Sequence, residues 1–415
     1  MKQALVLAGG GAKGAYEAGC LKALQELNFE FEIVTGTSIG ALNGLLVAQQ
    51  DYDELYSLWD KLNINMVLKN PIHFDFSIES MMKNTNLIKP FFKSYLNKKG
   101  ADNEPFINLV RGMFDGDKAK NSPIRYGCCT VMFPQLKPLE ITIDEMDKDK
   151  IVEYAIASAS CFPAFPIYYI DKQGYIDGGY YDNLPIHLAF QMGAEKILAI
   201  ELNQEATHSH LYNRENIQFI RPSRPLGGFL DFERPIMNWR IRLGYLDTLK
   251  AFGKLKGYRF TFRLGDVDLK IAKTFHDKIL HYEMTNNYHT FNIEDNTPLL
   301  DILKENTYLD KIELADYFIL GLELFMETYK YQSDKLYSFD EIIHDIKSIQ
   351  VDEDDFRNLN FLKKSGEILK DLTNKQIINY FLSHFHNEES SKAIPENLFL
   401  KEYLLAMFIY CVKYM

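Results

Sequence analysis

Across the first 225 residues the apolar positions switch between two periods. Short apolar runs at 4–8, 31–35, 125–132, 139–143, 175–176, 197–202 and 217–220 have the length of strands and are bounded by glycine and polar residues. Between them, 15–27, 39–49, 151–158 and 186–192 carry apolar residues at helical spacing. Strand–helix alternation of this kind predicts an α/β fold with a largely parallel sheet flanked by helices.

Two stretches break the alternation. Residues 51–123 read as helical segments at 53–62, 87–95 and 106–113 joined by polar loops, and predict a helical insertion or cap over one edge of the sheet. Beyond Arg234 the pattern is mainly helical, at 237–255, 299–330, 337–349, 355–371, 375–386 and 395–414. At 415 residues the chain exceeds a single small core. Two domains are expected, 1–230 and 231–415, with no role assigned to the second. The 25 tyrosines and 29 phenylalanines suit an aromatic-rich helical core, or a surface that meets lipid or a partner.

The chemistry concentrates at three turns. Gly9-Gly10-Gly11-Ala12-Lys13-Gly14 follows the first strand and opens a helix, so its backbone N–H groups can face a negative charge, with Lys13 adding a cation. Gly36-Thr37-Ser38-Ile39-Gly40 follows the second strand and opens the next helix, a strand-to-helix elbow that presents a serine nucleophile. Asp177 ends an apolar run before Gly178 and Gly179, a carboxylate with backbone space around it. Of ten histidines only His187 lies near a motif, on a helix with no reason to face Ser38, so Asp177 is the better candidate base. Gly9, Gly11 and Gly14 also fit a dinucleotide fingerprint, which expects an acidic residue about 20 positions on, at the end of the second strand. Glu32 lies at the beginning of that strand and Ser38 follows its end, which disfavours a nucleotide site.

The net charge of −11 argues against nucleic acid as a partner and leaves membrane contact open. The five cysteines, Cys20, Cys128, Cys129, Cys161 and Cys411, show neither zinc spacing nor a CxxC pair and read as reduced, packed thiols. The first apolar run is a strand's length, too short for a signal-peptide core, and no uncharged apolar window of about 20 residues exists. A cytoplasmic protein with at most peripheral membrane contact is expected.

Taken in order, GGGAKG, GTSIG and DGG resemble the patatin-like phospholipase family, as do residues 160–166 and Asp182-Asn183-Leu184-Pro185. The likeness covers about residues 3–225 and suggests a bacterial-type patatin domain with a helical C-terminal extension. It implies a three-layer α/β/α architecture and a Ser38–Asp177 dyad that works without histidine. Ser38 would attack a lipid ester carbonyl, and Asp177 would pass the serine proton to the leaving alcohol. Gly10 and Gly11 N–H groups, aided by Lys13, would form the oxyanion hole, and water would then release the fatty acid. Gly9, Gly14, Gly36, Gly40, Gly178 and Gly179 frame these positions. Neither metal nor cofactor is implied; the implied partners are a phospholipid or other fatty-acyl ester and a membrane or micelle surface. Lys13 stands where the family frequently has arginine. Alternatives are an acyltransferase or thioesterase with the same dyad, or a nucleotide-binding or scaffold protein. Oligomeric state is left open.

Overall fold

The structure, a computed structural model, describes residues 2–69, 103–285, 298–305, 307–309, 311–350, 373–387 and 399–414. The expected helices at 87–95 and 355–371 lie outside the described residues. The chain divides into two compact units, Met1–Phe252 and Gly253–Met415.

The first unit is built on one eight-stranded sheet. Its strands are β1 (Gln3–Leu7), β2 (Ile33–Thr37), β3 (Arg125–Phe133), β4 (Lys137–Thr142), β5 (Tyr168–Ile170), β6 (Gln173–Asp177), β7 (Lys196–Ile200) and β8 (Ile217–Ile220). They lie in the order β5-β6-β3-β2-β1-β7-β8, with β4 also beside β3. The run β3-β2-β1-β7-β8 is parallel, while β4 and β6 pair with β3, and β5 with β6, antiparallel. Ala4, Leu5, Val6 and Leu7 of β1 are all fully buried, as a strand covered on both faces requires.

Nine helices of this unit are described: α1 (Gly14–Glu26), α2 (Ile39–Ala48), α3 (Tyr52–Lys61), α4 (Ile64–Val67), α5 (Glu104–Met113), α6 (Gly116–Asn121), α7 (Ile151–Ser158), α8 (Ile186–Gln191) and α9 (Arg234–Ala251). Successive strand residues face opposite sides of a sheet. Tyr126 of β3 turns its ring toward Gly44 of α2, while the next residue, Gly127, faces Leu188 of α8 and Met192 beyond it. Helices therefore cover both faces, the expected α/β/α layering.

The boundary expected at residue 230 falls short by one helix. α9 packs on α1 so closely that a Cβ on Gly19 would lie 1.9 Å from Ile241 O, and one on Gly244 would lie 2.0 Å from Tyr16 O. Tyr16 also donates to Asp247 Oδ2 at 3.0 Å. α9 is thus part of the first unit's core, and that unit ends at Phe252.

The second unit is mainly helical. It contains α10 (Leu269–Thr285), α11 (Pro298–Lys304), α12 (Leu314–Thr328), α13 (Phe339–Ser348), α14 (Asn374–Asn387) and α15 (Leu400–Tyr414), and the short parallel pair β9 (Thr261–Phe262) and β10 (Leu336–Tyr337). The run expected at 299–330 divides into α11 and α12. α10 escaped the sequence reading, although Ile271, Ala272, Phe275 and Ile279 form a buried stripe at helical spacing. The aromatic residues here build a core: Phe275 and Phe408 meet edge to face at 5.0 Å, and Phe318 and Phe408 are fully buried.

Candidate active site

Sheet register brings the two candidate site residues, Ser38 and Asp177, together. β3 lies between β2 and β6, with Cys129 opposite Thr37 and the next residue, Thr130, opposite Asp177. Ser38 leaves the end of β2 and Asp177 ends β6, so both reach the same level on either side of β3. Ser38 Oγ donates to Asp177 Oδ2 at 2.6 Å, across 139 residues of sequence.

The elbow is held from behind. Ser38 has φ 56° and ψ −124°, a costly conformation for a residue with a side chain. Its N–H donates to Ser158 Oγ at 2.9 Å, and Ser158 donates in turn to Cys129 O at 2.6 Å. A Cβ on Gly36 would lie 2.2 Å from Gly40 O, and one on Gly40 would lie 2.5 Å from Leu7 O, so the turn closes only with glycine at both places.

Asp177 is 2% exposed. Its N–H donates to Ser160 O at 2.9 Å and its Oδ1 accepts the Gly179 N–H at 2.7 Å. Burial pushes its carboxyl from 3.8 up to about 6, against the opposing pull of the bonds from Ser38 and Gly179. The loop after it is tied to both other motifs. Thr37 Oγ1 donates to Asp182 O at 2.8 Å, and Asn183 exchanges bonds of 3.0 Å with Gly9 through its side-chain amide and its carbonyl.

In the glycine loop the Ala12 N–H donates to Phe229 O at 2.7 Å and the Lys13 N–H to Gly10 O at 3.1 Å. Gly11 has φ +56°, and a Cβ there would lie 2.3 Å from Phe229 O. Lys13 is buried, and its ammonium donates to Asn203 Oδ1 at 3.1 Å. Beneath the loop, Asn43 links the two helices that carry the motifs. It donates to Glu17 Oε2 at 2.8 Å and accepts the Trp59 indole N–H at 2.9 Å. Burial pushes the Glu17 carboxyl up to about 8, against the opposing pull of the bond from Asn43.

These groups open on a cleft of about 370 Å³, within the range of small-molecule sites. Ser38, Asp177, Gly9, Gly10, Gly11, Lys13 and Gly179 line it. Gly14, Gly36, Gly40 and Gly178 lie against Ile39, Gly40 O, Leu7 O and Cys129 O respectively, as supports. The rest of the wall is mostly apolar: Ile39, Leu42, Leu62, Val67, Phe106, Phe165, Phe229, Leu230 and Phe232. Among the described residues the lining contains no histidine. His187 is exposed beside Glu140, and His208 bonds Asp182 and the Leu184 carbonyl, contacts that hold its pKa above the usual histidine value. All five cysteines are buried free thiols. Sequence reasoning missed Ser158, Asn203 and the segment 226–232.

Fold and site define an α/β protein with a serine elbow paired to a buried carboxylate. Residues 5–190 match the patatin-like phospholipase family profile, and this part of the chain is a patatin-like phospholipase domain. The chain is 29% identical over 208 residues to patatin-like phospholipase domain-containing protein 7 of Rattus norvegicus, covering 48% of this chain and 13% of that protein. It is 27% identical over 212 residues to patatin-like phospholipase domain-containing protein 6 of Homo sapiens, covering 49% and 13%. Lysophospholipase nte1 of Aspergillus terreus is 25% identical over 199 residues, covering 48% and 12%. The chain therefore spans only a small part of the curated relatives it matches. Among solved structures, VipD from Legionella pneumophila is similar with a TM-score of 0.41 and 15% identity, over 99% of this chain and 91% of that one.

Proposed function

We propose that this protein is a lipid acyl hydrolase that cleaves fatty-acyl esters through Ser38 and Asp177. The observation that carries the reading is the 2.6 Å bond from Ser38 Oγ to a buried carboxylate, set in a mostly apolar cleft. Membership of residues 5–190 in a phospholipase family supports it. In this mechanism the ionised Asp177 takes the Ser38 proton as Oγ attacks the ester carbonyl. The carbonyl oxygen becomes an oxyanion held by the Gly10 and Gly11 N–H groups, with the Lys13 charge nearby. Asp177 then gives the proton to the leaving alcohol, and water, deprotonated by the same carboxylate, hydrolyses the acyl-enzyme. The apolar wall seats the acyl chain.

Contact with a membrane or micelle is peripheral in this reading, because a lipid ester must leave such a surface to reach Ser38. Among the described residues no helix is long and apolar enough to cross a membrane.

Covalent labelling by a fluorophosphonate probe tests the proposal, read by intact mass with phospholipid–detergent micelles present. Wild type is expected to carry one adduct, Ser38→Ala none, and Asp177→Asn to label at least about 100-fold more slowly. A folded wild type that takes no adduct overturns the reading.

A further inference from the structure

Arg240 stands where a charge is least expected. It lies on α9 between Met237 and Leu243, on a stripe that is wholly buried, and is itself 0% exposed. The nearest carboxylate oxygen, Asp231 Oδ2, is 3.8 Å from Nη2. Its fork instead meets carbonyls of one segment. Nε donates to Leu226 O at 2.8 Å, Nη1 to Asp231 O at 2.9 Å and Nη2 to Gly228 O at 2.9 Å. A planar guanidinium can serve three such acceptors at once, and a lysine ammonium in its place cannot reproduce that geometry.

The segment so held, residues 226–232, forms a strap over the cleft. Gly227, at φ +77°, lets it turn, and the Asp231 carboxylate accepts the Gly228 N–H at 2.7 Å. Leu226 anchors the start of the strap in the core, whereas Phe229, Leu230 and Phe232 face the cleft and are only half-buried. From its other side the Phe229 carbonyl takes the Ala12 N–H at 2.7 Å, in the loop that carries Gly10 and Gly11. One side chain thus fixes an acyl-facing wall and, through that wall, the loop of oxyanion donors.

We propose that Arg240 is a positioning residue: by clamping 226–232 it sets both the turnover of the site and its preference for acyl-chain length. The inference rests on the acyl-hydrolase reading, and its test separates the two. Wild type, Arg240→Lys, Asp231→Ala and Phe229→Ala are compared on p-nitrophenyl esters from butyrate to palmitate, and by amide hydrogen exchange. Asp231 is half-exposed, so its variant loosens the same strap without opening the core.

In Arg240→Lys, kcat on butyrate is expected to fall about 10- to 100-fold, less than the roughly 100- to 1000-fold cost of removing an oxyanion donor outright, because the donors are displaced and not deleted. KM on butyrate stays near the wild-type value, and the chain-length profile flattens. Exchange at the Ala12 amide accelerates, and Asp231→Ala shows the same changes in smaller degree. Phe229→Ala shifts the profile toward longer chains while the Ala12 amide stays protected, because its partner is a backbone carbonyl. A folded Arg240→Lys with the wild-type profile and unchanged Ala12 exchange overturns the proposal. So does a loss of activity that only tracks the unfolded fraction. If Arg240→Lys does not fold, an Asp231→Ala protein that matches wild type in both readouts overturns it equally. A wild type that hydrolyses none of the esters, with Ala12 exchange still faster in Arg240→Lys, refutes the hydrolase reading and leaves the clamp standing.

Discussion

Replacing Asp177 by asparagine is expected to stabilise the first unit while abolishing its chemistry. Burial raises the carboxyl from 3.8 to about 6. A shift of that size corresponds to about 3 kcal/mol. The sign follows from proton counting. Between the two values the folded chain still holds a proton that the unfolded chain has released, so stability falls as pH rises and the loss is complete above about pH 6. Asparagine has the same shape and can keep accepting the Gly179 N–H, but has no charge to bury. The advantage of Asp177→Asn over wild type should therefore grow with pH, from about 1 kcal/mol at pH 4.5 to about 3 kcal/mol at pH 8. Any repacking by the amide adds a constant, and only the growth of about 2 kcal/mol between those pH values is diagnostic. Glu17, also pushed up by burial, is common to both proteins and drops out of the difference. Urea unfolding followed by tryptophan fluorescence reads the right part of the chain, since both tryptophans, Trp59 and Trp239, lie in the first unit. A gap that is constant, or narrows toward alkaline pH, refutes the argument that an ionised, poorly solvated carboxylate sits beside Ser38.

The same ionisation sets the pH dependence of turnover: kcat/KM should rise with pH through an acid limb near pH 6 and fall about tenfold per unit below it, because the base must be unprotonated; a limb near pH 4 on a short soluble ester would contradict this. Gly11→Ala should lower kcat by at least about 100-fold, because the new methyl must displace Phe229 O from a residue held at positive φ. It should also cost about 1–3 kcal/mol of stability, measurable by the same urea titration.

The parts of the site legible in the sequence are those encoded locally. A strand, a glycine loop and a helix in immediate succession announce β1, 9–14 and α1, and the serine elbow is written within five residues. The place of Asp177 beside Ser38 depends on register across β3, which no local pattern contains. The turn before Gly178 and Gly179 marked Asp177 as a candidate base, but its pairing with Ser38 came from the resemblance of three ordered motifs to a family. The strap at 226–232 was missed for a related reason: the loop it braces, at Ala12, lies at the other end of the unit's sequence, and its own composition reads as a turn. A usable signal was present. On a helix whose Met237, Leu243 and Gly244 positions mark a buried stripe, an arginine at 240 has to find carbonyl or carboxylate partners. The same stripe shows why the division at residue 230 came too early, since Gly244 sits where α1 and α9 nearly touch.

The site therefore needs more chain than the family match covers. That match ends at residue 190, yet β1, which delivers the glycine loop, pairs on one side with β7 at Lys196–Ile200. Without β7 and β8 the strand beneath the proposed oxyanion donors would become an unpaired edge. The Lys13 ammonium finds Asn203, the Ala12 N–H finds Phe229 O, and the strap that supplies that carbonyl is held by Arg240. Each of these supports comes from residues 196–240, and α9, which carries the last of them, also packs along α1, the helix that the glycine loop opens. The proposed reactive pair thus comes from the matched segment, while the geometry of its glycine loop depends on residues beyond it.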